Sequence, residues 1–184
     1  MQRKKSSKEY EDFLDIPEGV TVKVDKAMIT AAGKTTDSRY FPSKIVNLSV
    51  EGNKLKFSAN KDNKKVRKMI GTIKAHTKNM FKGITKGHTY KLKICSGHFP
   101  MNVSVSKDEL IVKNLLGEKI PRVMKINENA KVRVEGDYVI VESSSKEIAG
   151  QTAAMIEGLT KRVNYDRRIF QDGIYIIDKD GKEV

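Results

Sequence analysis

Apolar and polar residues alternate in many short segments of the chain, which is the pattern of half-buried β-strands. The first such segment covers residues 20–24, and residues 27–32 are predicted as its hairpin partner. A second hairpin is predicted from residues 44–50 and 53–58, around the turn-forming triplet Glu51-Gly52-Asn53. The strands predicted in the rest of the chain cover residues 89–95, 102–106, 110–113, 120–126, 131–134, 138–142 and 173–177. The pattern therefore predicts antiparallel sheets.

Two other segments show the spacing of three and four residues that places side chains on one helix face. In the first segment these residues are Val66, Met69, Ile70, Ile73, Thr77 and Met80. We predict Asn60 or Asp62 as its N-cap. The second helix is predicted over residues 145–163, with Ser144 or Ser145 as its cap. The residues predicted to face its core are Ile148, Thr152, Met155, Ile156 and Leu159.

The triplet Val-Glu-Gly occurs at residues 50–52 and again 84 positions later, at residues 134–136, with neighbouring sequence in the same register. A repeat of this length indicates two domains of one design. We therefore predict an α+β fold of two tandem duplicated modules, each an antiparallel sheet packed on one face by a helix. The predicted organisation is an N-terminal arm at residues 1–15, a first module at 16–88, and a second module at 89–184 that includes the C-terminal tail.

The chain is strongly basic, with 36 Lys and Arg against 23 Asp and Glu, a net charge of +13. Such a surplus predicts an anionic partner, with nucleic acid first and an anionic membrane surface second. Residues 1–88 carry a net charge of +11, whereas residues 89–184 carry only +2. In the second half the bases cluster locally, at Lys161-Arg162 and Arg167-Arg168. Clusters with few compensating acids favour phosphate contact over a merely solvated face.

The residue patterns of an enzyme are missing from the sequence. Gly33-Lys34-Thr35 resembles the end of a phosphate-binding loop, but Met28 stands where that motif needs its first glycine. The three histidines and the single cysteine, Cys95, lack the spacing of metal ligands. We therefore predict no enzymatic activity, no cofactor, no metal and no small-molecule substrate. The single cysteine and a start without an apolar signal segment predict a cytoplasmic protein that does not enter a membrane.

The aromatic residues bear on how RNA would be bound. The chain has six Phe, six Tyr and no Trp. Most occupy strand or corner positions expected in the core, including Phe57, Tyr90, Phe99 and Tyr138. Exposed aromatic platforms are typical of proteins that stack on single-stranded bases. We therefore expect contacts from Lys and Arg to the nucleic-acid backbone rather than base stacking.

Four blocks carry a resemblance to a known family. They are Asn-Met-Phe-Lys-Gly-Ile-Thr-Lys-Gly at 79–87, His-Phe-Pro-Met-Asn-Val at 98–103, Asn-Leu-Leu-Gly-Glu-Lys at 114–119 and Asp-Arg-Arg-Ile-Phe-Gln-Asp-Gly-Ile-Tyr at 166–175. In this order and spacing the chain resembles the eukaryotic and archaeal branch of the large-subunit ribosomal protein L6 family, called L9 in eukaryotes. One departure is Ala31-Ala32-Gly33-Lys34, where the family usually has Gly-Pro-x-Gly. The resemblance therefore does not extend to the tip of this hairpin.

The resemblance implies two tandem α/β modules and a place on the large ribosomal subunit beside the sarcin–ricin loop, near the docking region of translational GTPases. It implies large-subunit rRNA and neighbouring ribosomal proteins as partners, on cytoplasmic ribosomes that in a eukaryote are assembled in the nucleolus. The residues that match the RNA-binding region of the family are Lys161, Arg162, Arg167, Arg168, Gly173 and Tyr175, together with Lys119 and Arg122 in the loop after Gly-Glu-Lys.

Two other classes of protein remain open. A free basic regulator that binds RNA or DNA would explain the charge but not the four ordered blocks. An enzyme acting on nucleic acid would need clustered carboxylates for metal ions or a nucleophile beside a base. The sequence offers neither at a recognisable spacing. A structural rRNA-binding protein is therefore the leading prediction, with a free regulator as its alternative.

Overall fold

The computed structural model describes residues 9–42, 45–166 and 168–184, and the chain divides into two compact units between Lys86 and Gly87. The sequence placed this division after residue 88. That each unit folds independently stays a prediction.

The described residues of the first unit form two antiparallel sheets and one helix. Its elements are β1 (Tyr10–Asp15), β2 (Thr21–Asp25), β3 (Met28–Ala32), β4 (Thr36–Tyr40), β5 (Asn47–Glu51), β6 (Lys54–Ala59) and α1 (Lys64–Thr85). One sheet has the order β1-β6-β5 and the other the order β2-β3-β4. Both predicted hairpins, β2-β3 and β5-β6, are confirmed. Helix α1 packs against β1, β3 and β4.

Strand β1 shows that residues 10–15 do not belong to the N-terminal arm that was predicted at residues 1–15. Residues 10–15 pair along their whole length with β6, so they belong to the sheet of the first unit. Their half-buried row consists of Tyr10, Asp12 and Leu14. The polar member of this row is held by an ion pair, in which Asp12 Oδ1 lies 2.6 Å from Lys74 Nζ of α1. Because a carboxylate interrupts the apolar row, the alternation typical of a strand was hidden in the sequence.

Helix α1 buries the face that its periodicity predicted. Val66, Ile70 and Ile73 are at most 4% exposed, and Thr77 and Met80 are also buried. The predicted cap was wrong, because the N-cap is Asn63, whose side-chain oxygen accepts a hydrogen bond of 2.9 Å from the Val66 amide. The Asp62 carboxylate instead accepts two bonds from Arg67.

Replacing Asn63 with Ala should lower the stability of the first unit by about 1 kcal/mol, because the Val66 amide loses its partner. Ser145 occupies the N-cap of the helix in the second unit without a side-chain capping bond, which makes Ser145→Ala a matched control. Urea denaturation followed by circular dichroism would measure both variants. Equal losses in the two variants would contradict the capping role of Asn63.

The second unit repeats this plan and adds a strand. Its elements are β7 (His88–Cys95), β8 (Asn102–Ser106), β9 (Glu109–Lys113), a short 3₁₀ turn (Leu115–Gly117), β10 (Arg122–Lys125), β11 (Lys131–Glu135), β12 (Tyr138–Ser143), α2 (Lys146–Thr160) and β13 (Gly173–Lys179). The sheets have the orders β11-β12-β7-β13 and β10-β9-β8. Helix α2 packs against β7, β10, β12 and β13.

The core face of α2 differs from the prediction at one important position. The buried residues of α2 are Ala149, Thr152, Ala153, Ile156 and Thr160. Met155 is 46% exposed, so its assignment to the core was wrong, while Ile148 and Leu159 are half-buried at the edge of the core. The two alanines have small side chains that allow close packing of the helix on the sheet. The buried face of α2 therefore centres on these alanines and Ile156, and Met155 lies outside it.

The two Val-Glu-Gly triplets lie at equivalent places in the two units. Each ends the first strand of a hairpin, β5-β6 in one unit and β11-β12 in the other. Gly52 and Gly136 adopt left-handed backbone angles, with φ of 59° and 58°, a conformation that glycine adopts without steric cost. The predicted α+β class with two tandem modules is confirmed. The structure adds a second sheet to each module.

Candidate nucleic-acid interface

Three loops meet at one end of the second unit. They follow β7 (residues 96–101), β9 (residues 114–121) and α2 (described at residues 161–166 and 168–172). These loops contain most of three of the four sequence blocks that carry the family resemblance. The contacts among the loops, described below, join segments that are far apart in the sequence into one surface, which we call the loop end.

Asp172 joins the first loop to the third. Its side chain is 3% exposed, and its Oδ1 atom accepts hydrogen bonds from the backbone amides of Gly97 and His98, at 2.8 and 2.9 Å. Its Oδ2 atom lies 2.5 Å from Nδ1 of His98. Burial raises the pKa of the Asp172 carboxyl, but the hydrogen bonds from His98 and Gly97 outweigh it and leave that pKa below its ordinary value. The His98 ring stacks on Phe170 with centroids 4.9 Å apart.

The second loop has an unusual backbone. Asn114, Leu116 and Gly117 all have positive φ angles, of 61°, 48° and 78°. A side chain on Gly117 would lie 3.7 Å from the Phe99 ring. The side-chain amide of Asn114 donates a hydrogen bond of 3.0 Å to the carbonyl of Pro100. A left-handed leucine costs conformational energy, and such residues are concentrated at functional sites.

Arg122 fastens the second loop to the end of α2. Its Nε and Nη2 atoms donate to the two carboxylate oxygens of Glu118, at 2.8 and 2.7 Å. Its Nη1 atom donates to the carbonyl of Leu159 at 2.6 Å, at the helix terminus that favours cations. Hydrogen bonds from Arg122 lower the pKa of Glu118 despite its partial burial, and the charges of Arg122 and Arg162 act in the same direction. The guanidinium of Arg122 is therefore used within the protein.

The other cations predicted to bind RNA differ in the partners that they have within the protein. Arg162 lies over the Tyr165 ring, 4.3 Å from its centroid, and 3.5 Å from Glu118. Arg168 has an 89% exposed side chain that pairs with Asp166 at 2.9 Å.

Lys119 and Lys161 are exposed and form no ion pair with any residue that the structure describes. They are therefore the predicted cations most available to an external anion. Arg167 lies outside the described residues.

Gly173 and Tyr175 stand where β13 begins beside the end of α2. A side chain on Gly173 would lie 3.3 Å from Oγ1 of Thr160, and its φ of 155° favours glycine. The same Thr160 oxygen accepts a hydrogen bond of 2.9 Å from the amide of Ile174. Gly173 therefore permits β13 to approach α2 closely, which places the 37% exposed Tyr175 at the loop end.

A cleft of about 410 Å³ opens at the loop end. The residues that line it are Leu116, Ala154, Glu157, Gly158, Thr160, Lys161, Arg162, Tyr165, Phe170, Asp172 and Tyr175. The cleft combines cations with aromatic rings, a combination suited to phosphates and bases. The sequence did not single out Tyr165, Phe170 or Asp172 as site residues.

The exposure of the aromatic residues corrects one expectation. Phe57 and Tyr90 are buried as predicted, but Phe99 is 49% and Tyr138 is 43% exposed. Phe99 packs against Gly117 and keeps the rest of its ring at the surface. In β12 the strand alternation turns Val139 inward, so the neighbouring Tyr138 must face outward. The aromatic surface is thus larger than the sequence indicated.

Neither a metal-binding cluster nor a membrane-spanning helix is found among the described residues. No group of three or more His, Cys, Asp or Glu residues in that part of the chain could hold a metal ion. None of the helices described there combines the length and apolarity needed to cross a membrane.

A basic chain of two α+β units with a cation-rich, aromatic loop end has the features of a small nucleic-acid-binding protein. A family model described as Ribosomal protein L6 matches residues 16–87 and 99–173, which gives one match in each half of the chain. The chain therefore belongs to the ribosomal protein L6 family, and the resemblance found in the sequence is confirmed.

Several curated archaeal relatives align over nearly their whole length. The chain is 43% identical to the large ribosomal subunit protein uL6 of Methanobrevibacter smithii, over 91% of this chain and 94% of the relative. It is 41% identical to the protein of the same name from Methanosarcina mazei, over 94% and 98%. The identity to that of Methanococcus vannielii is 40%, over 92% and 93%.

Proposed function

We propose that the chain is a structural constituent of the large ribosomal subunit and binds folded rRNA through the loop end of its second unit. The observation that carries this proposal is the joining of three family blocks into one surface with exposed cations. Family membership supports it, because the curated relatives bear the name of a large-subunit protein.

In this proposal the residues of the loop end have two kinds of role. Lys119, Lys161 and Arg168 contact phosphates, since their charged groups are exposed. Arg162 and Tyr175 border the cleft, where a ribose or base can pack against Tyr165. From the resemblance we also assign a phosphate contact to Arg167.

The second kind of role is positioning. Arg122 holds the second loop to α2, and Gly173 permits the close approach of β13. Asp172 ties the first loop to the third. A surface held in this way needs little rearrangement on binding, which reduces the entropic cost of association. The proposed binding thus recognises the shape of folded RNA rather than a base sequence.

The resemblance supports a finer proposal about the position of the protein. We place it beside the sarcin–ricin loop, near the region where translational GTPases dock, with neighbouring ribosomal proteins around it on cytoplasmic ribosomes. A footprint of the sarcin–ricin region of rRNA, with and without the protein, would test this location.

Replacing Lys119 and Lys161 with Gln should weaken binding to large-subunit rRNA and flatten its salt dependence. Each lost phosphate contact should reduce the slope of log affinity against log salt by about one, so we expect a change of about two. Filter binding across a series of salt concentrations would measure this slope.

The matched control replaces Lys107 and Lys131, which are also exposed but lie away from the three loops, Lys107 in the turn between β8 and β9 and Lys131 at the start of β11. This control removes the same charge and should leave the slope nearly unchanged. Equal slopes for the two double variants would refute a local contact at the loop end. A free regulator, the alternative function, would also bind RNA but would wash off purified large subunits during sedimentation.

A further inference from the structure

Helix α1 of the first unit is basic along its whole length. Its 22 residues contain seven Lys or Arg and no Asp or Glu. The unit that contains α1 also holds most of the surplus charge, with +11 over residues 1–88. None of this charge belongs to the loop end, which lies in the other unit.

Two acids of the first unit pair with bases on one flank of α1. Asp62 pairs with Arg67, and Asp12 of β1 pairs with Lys74, each at 2.6 Å. At 100° per residue, these two bases lie close together on the side of the helix that faces β1. Glu11 and Glu51 are used elsewhere, on Lys56 of the sheet.

Three lysines that share one solvent-facing side of α1 have no ion-pair partner among the residues that the structure describes. Lys64, Lys68 and Lys78 are exposed and form no ion pair with any described residue. The undescribed residues of this unit, 1–8 and 43–44, contain no Asp or Glu in their sequence. By helical geometry the three lysines fall within an arc of about 80° and extend over about 21 Å. We call this row the lysine stripe.

The middle of the lysine stripe carries only small side chains and is exposed to solvent. Gly71 and Ala75 lie between the lysines and are exposed, and a side chain added at Gly71 would meet nothing within 4 Å. A polyanion can therefore approach the helix backbone between the charged side chains. A single small anion could contact Lys64 and Lys68 together but not Lys78, which lies about 15 Å farther along the helix.

We propose that the lysine stripe is a second RNA-binding surface, which contacts the phosphate backbone of an RNA helix independently of the loop end. A row of cations on a rigid helix matches a row of phosphates. The apolar face of α1 is buried in the unit, which leaves none for insertion into a membrane. The stripe also lacks the exposed aromatic and apolar residues that form the centre of protein–protein interfaces.

The test uses the full chain and replaces Lys64, Lys68 and Lys78 with Gln, which is a good helix former. The probe is an RNA duplex of about 24 base pairs and arbitrary sequence, since backbone contacts do not read bases. Fluorescence anisotropy measured over a series of salt concentrations should show a slope reduced by about three. A triple Lys→Arg variant at the same positions keeps the charge and should restore the slope.

The charge-matched control replaces Lys23, Lys26 and Lys34, which are exposed on the β2-β3-β4 side of the same unit. It should change the slope by less than about one unit. Both triple variants are also made in the chain that carries Lys119→Gln and Lys161→Gln. A smaller salt slope for the stripe variant than for its control in this second background supports RNA binding by the lysine stripe. This conclusion holds even if the loop end does not bind RNA.

Some results would overturn the proposal. The first is a stripe variant with the same slope as its charge-matched control in both backgrounds. The second is a stripe variant that no longer binds anionic phospholipid vesicles or polyglutamate but still binds the RNA duplex. That result would assign the stripe to a membrane or to an acidic protein. Unchanged circular dichroism and thermal unfolding are expected, because these side chains do not contribute to the core.

Discussion

Replacing Ile156 with Asp is expected to unfold the second unit. Ile156 has no exposed surface and belongs to the core cluster that includes Leu92, Val139 and Val141. A carboxylate at this position would be forced into an apolar layer without a partner, at a cost of several kcal/mol. Because whole domains are stable by only about 5–15 kcal/mol, such a loss removes much of the stability of the unit. Urea denaturation with near-ultraviolet circular dichroism would measure the effect.

The adjacent residue provides a sharp control. Met155 precedes Ile156 in α2 and is 46% exposed, so Met155→Asp should change the free energy of unfolding by no more than about 0.5 kcal/mol. The sequence pattern placed both residues on the buried face, and only the structure separates them. Similar losses in the two variants would show that the orientation of α2 is wrong.

The second large effect is expected at Asp172. Replacing it with Ala leaves the amides of Gly97 and His98 without their acceptor, at a cost of about 2–3 kcal/mol. The first and third loops would lose their connection, so binding of rRNA should weaken although no phosphate contact is removed. Combined measurements of unfolding and of rRNA affinity would detect both changes.

Asp166→Ala is the control for this variant. Asp166 is also an acid of the third loop, but it is exposed and pairs with Arg168 on the surface. Because exposed ion pairs contribute little, its removal should leave the free energy of unfolding nearly unchanged. A loss at Asp166 as large as that at Asp172 would contradict the anchoring role of the buried carboxylate.

The stability that Asp172 contributes should depend on pH in a definite direction. Its pKa is lower in the folded protein than the ordinary aspartate value of about 3.9. The contribution is therefore complete above that ordinary value and is lost as the pH falls through the lower, folded-state pKa. Acid titration of stability should show this loss in the wild type and a smaller one in Asp172→Asn. Identical acid profiles would contradict the linkage.

Local periodicity predicted much of the fold. The hairpins of β2-β3 and β5-β6 and the face of α1 follow from residues that are close together in the sequence. The tandem arrangement follows from the repeated Val-Glu-Gly triplet, because two copies in one register require two similar units. The charge surplus and its clusters are likewise properties of composition.

The features that the sequence did not reveal depend on distant partners. Strand β1 is recognisable only when Lys74 is seen to satisfy Asp12, and the choice between Met155 and Ile156 depends on how closely α2 packs on its sheet. The resemblance found in the sequence assigned Arg122 to RNA contact. In the folded protein, however, its guanidinium donates hydrogen bonds to Glu118 and to the carbonyl of Leu159.

The composition and periodicity of the chain thus determined its class, its two modules and its basic character. Only the tertiary structure decided which cations face solvent, because that depends on carboxylates and carbonyls brought near by folding. Lys161 remains available to an external anion at the loop end, whereas the guanidinium of Arg122 is hydrogen-bonded within the protein, to the carbonyl of Leu159. The buried Asp172, which joins segments about 75 residues apart, acquired its role only through the fold.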